Sequence, residues 1–223
     1  MEERSIRVER TARYHLLGSP GAEVRRLWVV LHGYGQLAAS LLRRCEALAG
    51  PGTLVAAPEA LSRFYLASTS PADHAQAKVG ASWMTREARE SEIADQVAYL
   101  DRLHAELVKE CGARRLETRV LGFSQGVATA VRWALLGTTP PPAQLLLWAG
   151  HLPPETWTDS ARECLAETEL VFAAGDADPY VGPDELARTV ERARGFGFRA
   201  RAHGFAGGHA ITAAALAPYA RTG

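Results

Sequence analysis

The sequence predicts an α/β protein, with a mostly parallel central sheet flanked by helices on both faces. Leu27–Leu31, Leu145–Ala149 and Leu170–Ala174 are apolar runs with no polar alternation, as in strands buried on both sides. Helical runs alternate with such strands along the chain, an order that winds into an open, doubly covered sheet. With 223 residues, 47% of them hydrophobic, the chain can bury one sizeable core. It shows no internal repeat, low-complexity tract or linker, so residues 1–223 read as a single domain.

Ile6–Leu17 reads as an initial strand or hairpin arm, ended by the Gly18-Ser-Pro-Gly21 turn. Leu27–Leu31 is the first strong strand, bounded by Gly33 and Gly35. A helix is expected from about Leu37 to Leu48, and Thr53–Ala57 restores a strand before Pro58. Pro58–Trp83 keeps no period and mixes Pro, Ser, Gly and aromatics. It is expected to be a long surface loop with short turns, of a length that usually has a use. Glu87–Glu110 is the clearest helix, with an apolar stripe of Ile93, Val97, Leu100, Leu103 and Leu107, acids concentrated early, and Gly112 closing it.

Arg119–Leu121 is a strand, and Val127, Ala128, Val131, Leu135 and Leu136 follow with helical spacing. Gly137–Pro142 is a turn. After the strands at Leu145–Ala149 and Leu170–Ala174 comes a helix over Pro183–Arg194, starting near its proline. Phe198–His203 is a last strand with alternating arginines, and His209–Tyr219 a closing helix.

Lys plus Arg and Asp plus Glu both number 25, for a formal net charge of zero, so no bulk field draws a nucleic acid or an anionic membrane. Arg43-Arg44 and Arg114-Arg115 read as solvated faces. No apolar stretch approaches the ~18 residues of a membrane span, so stable membrane insertion is not expected. The amino terminus has no basic segment followed by an apolar core and no cleavage signal. Cys45, Cys111 and Cys164 are scattered, without a Cys-x-x-Cys pairing, which suits a reducing compartment. The expectation is a cytoplasmic protein whose cysteines are structural.

The chemistry centres on Gly122-Phe-Ser-Gln-Gly126, where a strand runs into a helix. Such a turn holds a serine hydroxyl exposed on tight backbone, and Gly122 and Gly126 face each other where any Cβ would crowd the bend. In an open parallel sheet, functional loops lie beyond the carboxyl ends of the strands. Asp178, in Gly175-Asp-Ala-Asp-Pro-Tyr-Val181, and His209, after Gly207-Gly208, both follow predicted strands. The order Ser124, Asp178, His209 is nucleophile, acid, base.

A serine hydroxyl is a poor nucleophile at neutral pH. His209 would take its proton and return it to the leaving group, while Asp178 would hold the imidazole tautomer. Asp176 competes for the acid's place; Asp178 is favoured because Pro179 restricts the backbone beside it and Asp176 suits a turn cap. His203 reads as an ordinary sheet residue, and His15, His74, His104 and His151 fit no partner of the serine.

Leu31-His-Gly-Tyr-Gly-Gln36 ends the first strong strand with alternating glycines. This turn can aim the Tyr34 N–H at developing negative charge, with the Gln125 N–H as the second donor. His32, Gly33 and Gly35 would support the turn, His32 through hydrogen bonds rather than as a base. There is no Gly-Lys-Ser/Thr ending or Gly-x-Gly-x-x-Gly, so nucleotide binding is not expected. Asp73-His74 and the Asp176/Asp178 pair are too sparse for a metal, and no cofactor is expected.

These residues resemble the phospholipase/carboxylesterase family of the α/β-hydrolase superfamily, which includes small bacterial carboxylesterases and acyl-protein thioesterases. The likeness covers Leu27–Tyr219 and rests on the four motifs at 31–36, 122–126, 175–181 and 207–209. It implies an α/β-hydrolase fold with little or no lid and cofactor-free hydrolysis of short or medium acyl esters, possible thioesters or lysophospholipids included. Pro58–Ala67 and Gly80–Met84 depart from the thioesterase pattern, in which a tryptophan-aspartate pair follows a glycine-rich lead; they resemble a bacterial branch.

Phe64, Tyr65, Leu66, Trp83 and Met84 provide apolar surface for a substrate pocket. Without a large lid the site should favour small soluble esters over long-chain lipids. The leading expectation is a serine carboxylic ester hydrolase acting as a monomer or homodimer on a small-molecule ester. The alternatives are an acyl-thioesterase or lysophospholipase, a serine peptidase of the same fold, or a noncatalytic binding protein on that fold.

Overall fold

The computed structural model describes residues 2, 4–67, 75–112 and 116–220. Asp73, His74, Arg114 and Arg115 lie outside the described residues.

In chain order come β1 (Tyr14–Leu17), β2 (Arg26–Leu31), α1 (Ala38–Arg44), β3 (Thr53–Pro58), β4 (Ser62–Tyr65), β5 (Val79–Ser82) and α2 (Arg89–Cys111). There follow β6 (Glu117–Phe123), α3 (Gln125–Leu136), β7 (Gln144–Trp148), α4 (Asp159–Cys164), β8 (Glu169–Gly175), α5 (Pro183–Phe196), β9 (Arg199–Phe205) and α6 (Ala213–Ala220). The main sheet has the order β1-β3-β2-β6-β7-β8-β9. β1 pairs antiparallel with β3, and the other neighbours are parallel.

The uniformly apolar strands have helices on both faces, as their composition requires. Leu27, Val29, Leu31, Val120, Leu145, Leu147 and Phe172 pack with α2, α3 and α5. The alternate residues Trp28, Val30, Leu121, Leu146, Trp148 and Val171 pack with α1 and α6. At ~25 cal/mol per Å² of apolar surface removed from water, these two layers are the main drive to fold.

The topology also fixes the site. From β2 the chain steps outward to β3, then returns to β6 on the other side and proceeds to β9. The order therefore reverses between β2 and β6, and a crevice opens at their carboxyl ends. Leu31 stands beside Gly122, so the turns after β2 and β6 are neighbours.

Several elements differ from the sequence expectation. The arm shrinks to β1, and Ile6 and Val8 stay exposed, because no strand pairs with them among the described residues. The Leu37–Leu48 helix stops at Arg44 and tightens into a 3₁₀ turn over Glu46–Leu48. The Pro58–Trp83 segment is not merely loop: β4 and β5 pair antiparallel, from Ser62 opposite Ser82 to Tyr65 opposite Val79. Each strand is too short to show a period, and only the pairing defines them. α4 carries no signal noticed in the sequence. The closing helix begins at Ala213 rather than His209, with Thr212 Oγ1 accepting from Ala215 N at 3.2 Å, which leaves His209 in an irregular turn.

Candidate active site

Ser124 sits between β6 and α3 with φ 54° and ψ −115°, a region that L residues visit only at a cost. The strain is held from both sides. Ser124 N–H donates to Trp148 O on β7 at 2.8 Å, and Ser124 O accepts from Val127 N at 3.0 Å in the first turn of α3. Space dictates the flanking glycines: a Cβ on Gly122 would meet the Gly126 carbonyl, and one on Gly126 the Leu31 carbonyl, both far inside contact distance. The serine therefore stands at the positive end of α3.

The turn after β2 lies alongside. His32 is fully buried. Its Nε2 accepts from Ala60 N at 3.0 Å, so the proton is on Nδ1, which donates to Gly33 O at 2.8 Å. Burial lowers its pKa from the usual histidine value. Both ring nitrogens are committed to backbone, so His32 orders the turn and has no free nitrogen for proton transfer.

Gln36 Oε1 accepts from Gly33 N at 3.0 Å, and Gly35, at φ +71°, donates its N–H to Ala81 O at 2.9 Å. Tyr34 N–H has no hydrogen bond among the described residues. Gln125 N–H, first in α3, has no intrahelical partner. Two backbone donors are thus left unpaired beside the serine.

Asp178 and His209 meet across β8 and β9. The Asp178 side chain is fully shielded from solvent; its Oδ1 accepts from Tyr180 N at 2.8 Å and Val181 N at 3.1 Å, and its Oδ2 lies 2.9 Å from His209 Nδ1. The contact directs Nδ1–H at the carboxylate, and in the neutral ring the lone pair is then on Nε2. Asp176 instead accepts from Gly207 N through Oδ1 at 2.9 Å, closing the turn.

The His209 ring lies on Phe123, the residue before the serine, at 4.9 Å between centroids, with Tyr180 edge-on at 4.8 Å. Ser124 Oγ and His209 form no hydrogen bond with each other here. His203, on β9, packs against Trp148, Phe205 and Tyr219. Among the described residues no group of three or more His, Cys, Asp or Glu could hold a metal ion.

The expected pocket residues divide. Phe64 stacks at 5.2 Å on Tyr34, and Tyr34, Tyr65 and Leu66 are exposed along the turn and ribbon. Trp83 is corrected from pocket wall to core: it is 3% exposed, and its Nε1 donates to His32 O at 2.8 Å. An indole makes its largest contribution when buried with its N–H satisfied. Met84 is half-buried with its Sδ 3.2 Å from Arg132 Nη1.

The structure adds residues that sequence reasoning passed over. Gln125 Oε1 accepts from Trp83 N at 3.0 Å and its Nε2 donates to Met84 O at 2.8 Å, clamping the ribbon to the serine turn. Arg132, almost fully buried in α3, pairs with Glu155 at 3.2 Å, which also binds Arg89 at 3.0 Å. Nothing local marks these side chains; their partners come from distant segments.

No family model matches the sequence, and no curated protein sequence does. Solved structures do match in shape. Esterase PE8 superposes with a TM-score of 0.67 at 23% identity, over 94% of this chain and 96% of that one. Acyl-protein thioesterase 2 of Zea mays gives 0.67 at 19%, over 95% and 97%. A carboxylesterase from Mesorhizobium loti gives 0.64 at 20%, over 95% of each chain.

The chain has the α/β-hydrolase fold.

In that fold the strained serine turn after β6, the glycine turn after β2 and the Asp178–His209 pair are brought to one end of the sheet. The β4–β5 ribbon is tied to the glycine turn, with Ala81 N donating to Gln36 O at 3.1 Å. No helix among the described residues is long and apolar enough to cross a membrane.

Proposed function

We infer that this chain is a serine ester hydrolase acting through a covalent acyl-serine. The observation that carries the reading is the 2.9 Å contact of His209 Nδ1 with Asp178, which orients a ring packed against the serine turn with Nε2 turned away from the carboxylate. Ser124 Oγ attacks the ester carbonyl while His209 Nε2 takes its proton. The tetrahedral oxyanion accepts the Tyr34 and Gln125 N–H groups, donors already fixed in place and therefore costing no reorganisation. Asp178 stabilises the imidazolium. The carbon–oxygen bond then breaks, the leaving oxygen takes the proton from Nε2, and the acyl group remains on Ser124. Water attacks the acyl-enzyme with His209 again as base and releases the acid. Substrate closes the Ser124–His209 gap, since catalytic hydrogen bonds of this kind tighten in the complex.

The substrates are small to medium acyl esters. With Trp83 buried and no large cap among the described residues, the exposed Tyr34, Tyr65 and Leu66 are the surface for the acyl group. A fluorophosphonate probe tests the reading. Labelling should map to Ser124 by peptide mass spectrometry, vanish in Ser124→Ala and slow strongly in His209→Ala. A folded protein that takes no label would point to a noncatalytic role.

A further inference from the structure

In acyl transfer the leaving group must lie where the histidine can hand it a proton, so the space beside His209 selects the alcohol half of the substrate. A small cleft of about 70 Å³ borders its ring, lined by Gln36, Leu41, Arg44, Phe123, His209 and Ile211. It shares Phe123 with the serine turn and Gln36 with the glycine turn. Its floor is apolar, since Leu41, Phe123 and Ile211 are all buried. The sequence reading placed Arg44 on a solvated face; the fold sets it at the wall of this cleft.

Several other surface arginines are engaged. Glu59 binds Arg13 and Arg63, Glu155 binds Arg89, and Glu169 binds Arg201. Arg44 has no hydrogen bond or ion pair among the described residues. Gln36 is half committed: its Oε1 is held by Gly33 N and its backbone by Gly33 and Ala81, while its Nε2 donates to nothing described. The cleft thus combines an apolar floor, a guanidinium and a spare amide donor, and no carboxylate lines it. A planar guanidinium with a second N–H donor matches a carboxylate.

Resting on the ester-hydrolase reading, we propose that the cleft is a leaving-group site for a carboxylate, so that the preferred substrates are acyl esters of short hydroxy acids and Arg44 sets that preference. The acyl group passes to Ser124 Oγ, the bond to the hydroxy acid's oxygen breaks, and His209 Nε2 protonates that oxygen. The free hydroxy acid departs with its carboxylate still ionised.

The test compares kcat/KM for the butyryl ester of glycolate, its neutral glycolamide counterpart and monoethyl succinate, which carries its charge on the acyl side. The wild-type protein should prefer the glycolate ester over the glycolamide ester by about five-fold, a modest factor because the guanidinium is solvated. That ratio should fall to about one in Arg44→Ala through KM, be partly kept in Arg44→Lys, be unchanged in Arg43→Ala, and shrink with added salt.

A wild-type ratio near one, a ratio that survives Arg44→Ala, or a preference that follows monoethyl succinate overturns the proposal and leaves ester hydrolysis standing. If no ester is cleaved and Ser124 takes no fluorophosphonate label, ester hydrolysis itself fails, and this proposal with it. If Ser124 labels but none of the three esters is cleaved, the proposal stands only if glycolate slows labelling in the wild-type protein and not in Arg44→Ala.

Discussion

Ser124 carries positive φ because neighbouring backbone leaves it no alternative, and the residues around it differ in what they tolerate. Ser124→Ala should cut ester turnover by about 10⁴-fold or more, with an unchanged far-ultraviolet dichroism spectrum. The two loop aspartates separate cleanly. Asp178→Asn should lower kcat by about 10³- to 10⁴-fold, because an amide facing Nδ1 no longer holds the useful tautomer. Asp176→Asn, which disturbs only the bond from Gly207 N, should change kcat by no more than about three-fold and act mainly on stability; steady-state kinetics on both variants decides between them. Gly126→Ala should give little soluble protein, since its Cβ would overlap the Leu31 carbonyl. At this scale the sequence was informative. The glycine-bracketed serine turn announces itself because backbone geometry restricts the residue type, but the buried place of Trp83 did not, because an aromatic side chain suits a core and a pocket equally.

Elements explain what single residues do not. The serine turn, the glycine turn and the β4–β5 ribbon are joined by Gln125, Trp83 and Ala81, so the two turns that carry the unpaired Tyr34 and Gln125 N–H groups are tied to a ribbon that the sequence did not reveal. Gln125→Leu should keep α3, whose side of the position is unchanged, yet release the ribbon and leave Trp83 N unpaired in a buried place. A loss of about 1–3 kcal/mol in urea unfolding is expected, with a further fall in kcat as the glycine turn loosens. Long elements such as α2, β6 and α3 were legible because their apolar stripes or runs repeat several times. The ribbon strands of four residues and the short α4 were not, since their formation depends on distant pairing and on packing against the core.

The molecule as a whole responds to pH through groups spread over both layers. Burial lowers the pKa of His32, His104 and His203. Below the unfolded value of about 6.5 the unfolded chain takes up protons that these folded histidines refuse, so stability must fall as pH drops from about 7 towards 5.5. Burial also opposes ionisation of Glu59, Glu117, Glu155 and Glu169, yet hydrogen bonds outweigh it and depress each pKa, from arginines for Glu59, Glu117 and Glu169 and from its own backbone N–H and then Arg132 for Glu155. Burial likewise opposes ionisation of Asp101, yet bonds from Thr138, Trp133 and Thr139 bring it to about 2. Depressed carboxylates stabilise the fold above their unfolded values, and that stability is lost as pH falls further. Urea midpoints should therefore decline continuously from pH 7 to pH 3; a rise anywhere in that range would contradict the assignment.

The sequence by itself determined the doubly covered parallel sheet, the serine turn, the glycine turn and the chain order of the three polar site residues. These are local: apolar period, backbone room and strand ends are written within a few consecutive residues. The contact of Asp178 with His209 agrees with the preference over Asp176 already legible in the sequence, while only the tertiary structure decided that Trp83 is core, that the long segment carries a ribbon clamped by Gln125, and that Arg44 borders the cleft beside His209. Each of these depends on how segments far apart in the chain are brought together by strand order and helix packing, and no local pattern specifies that.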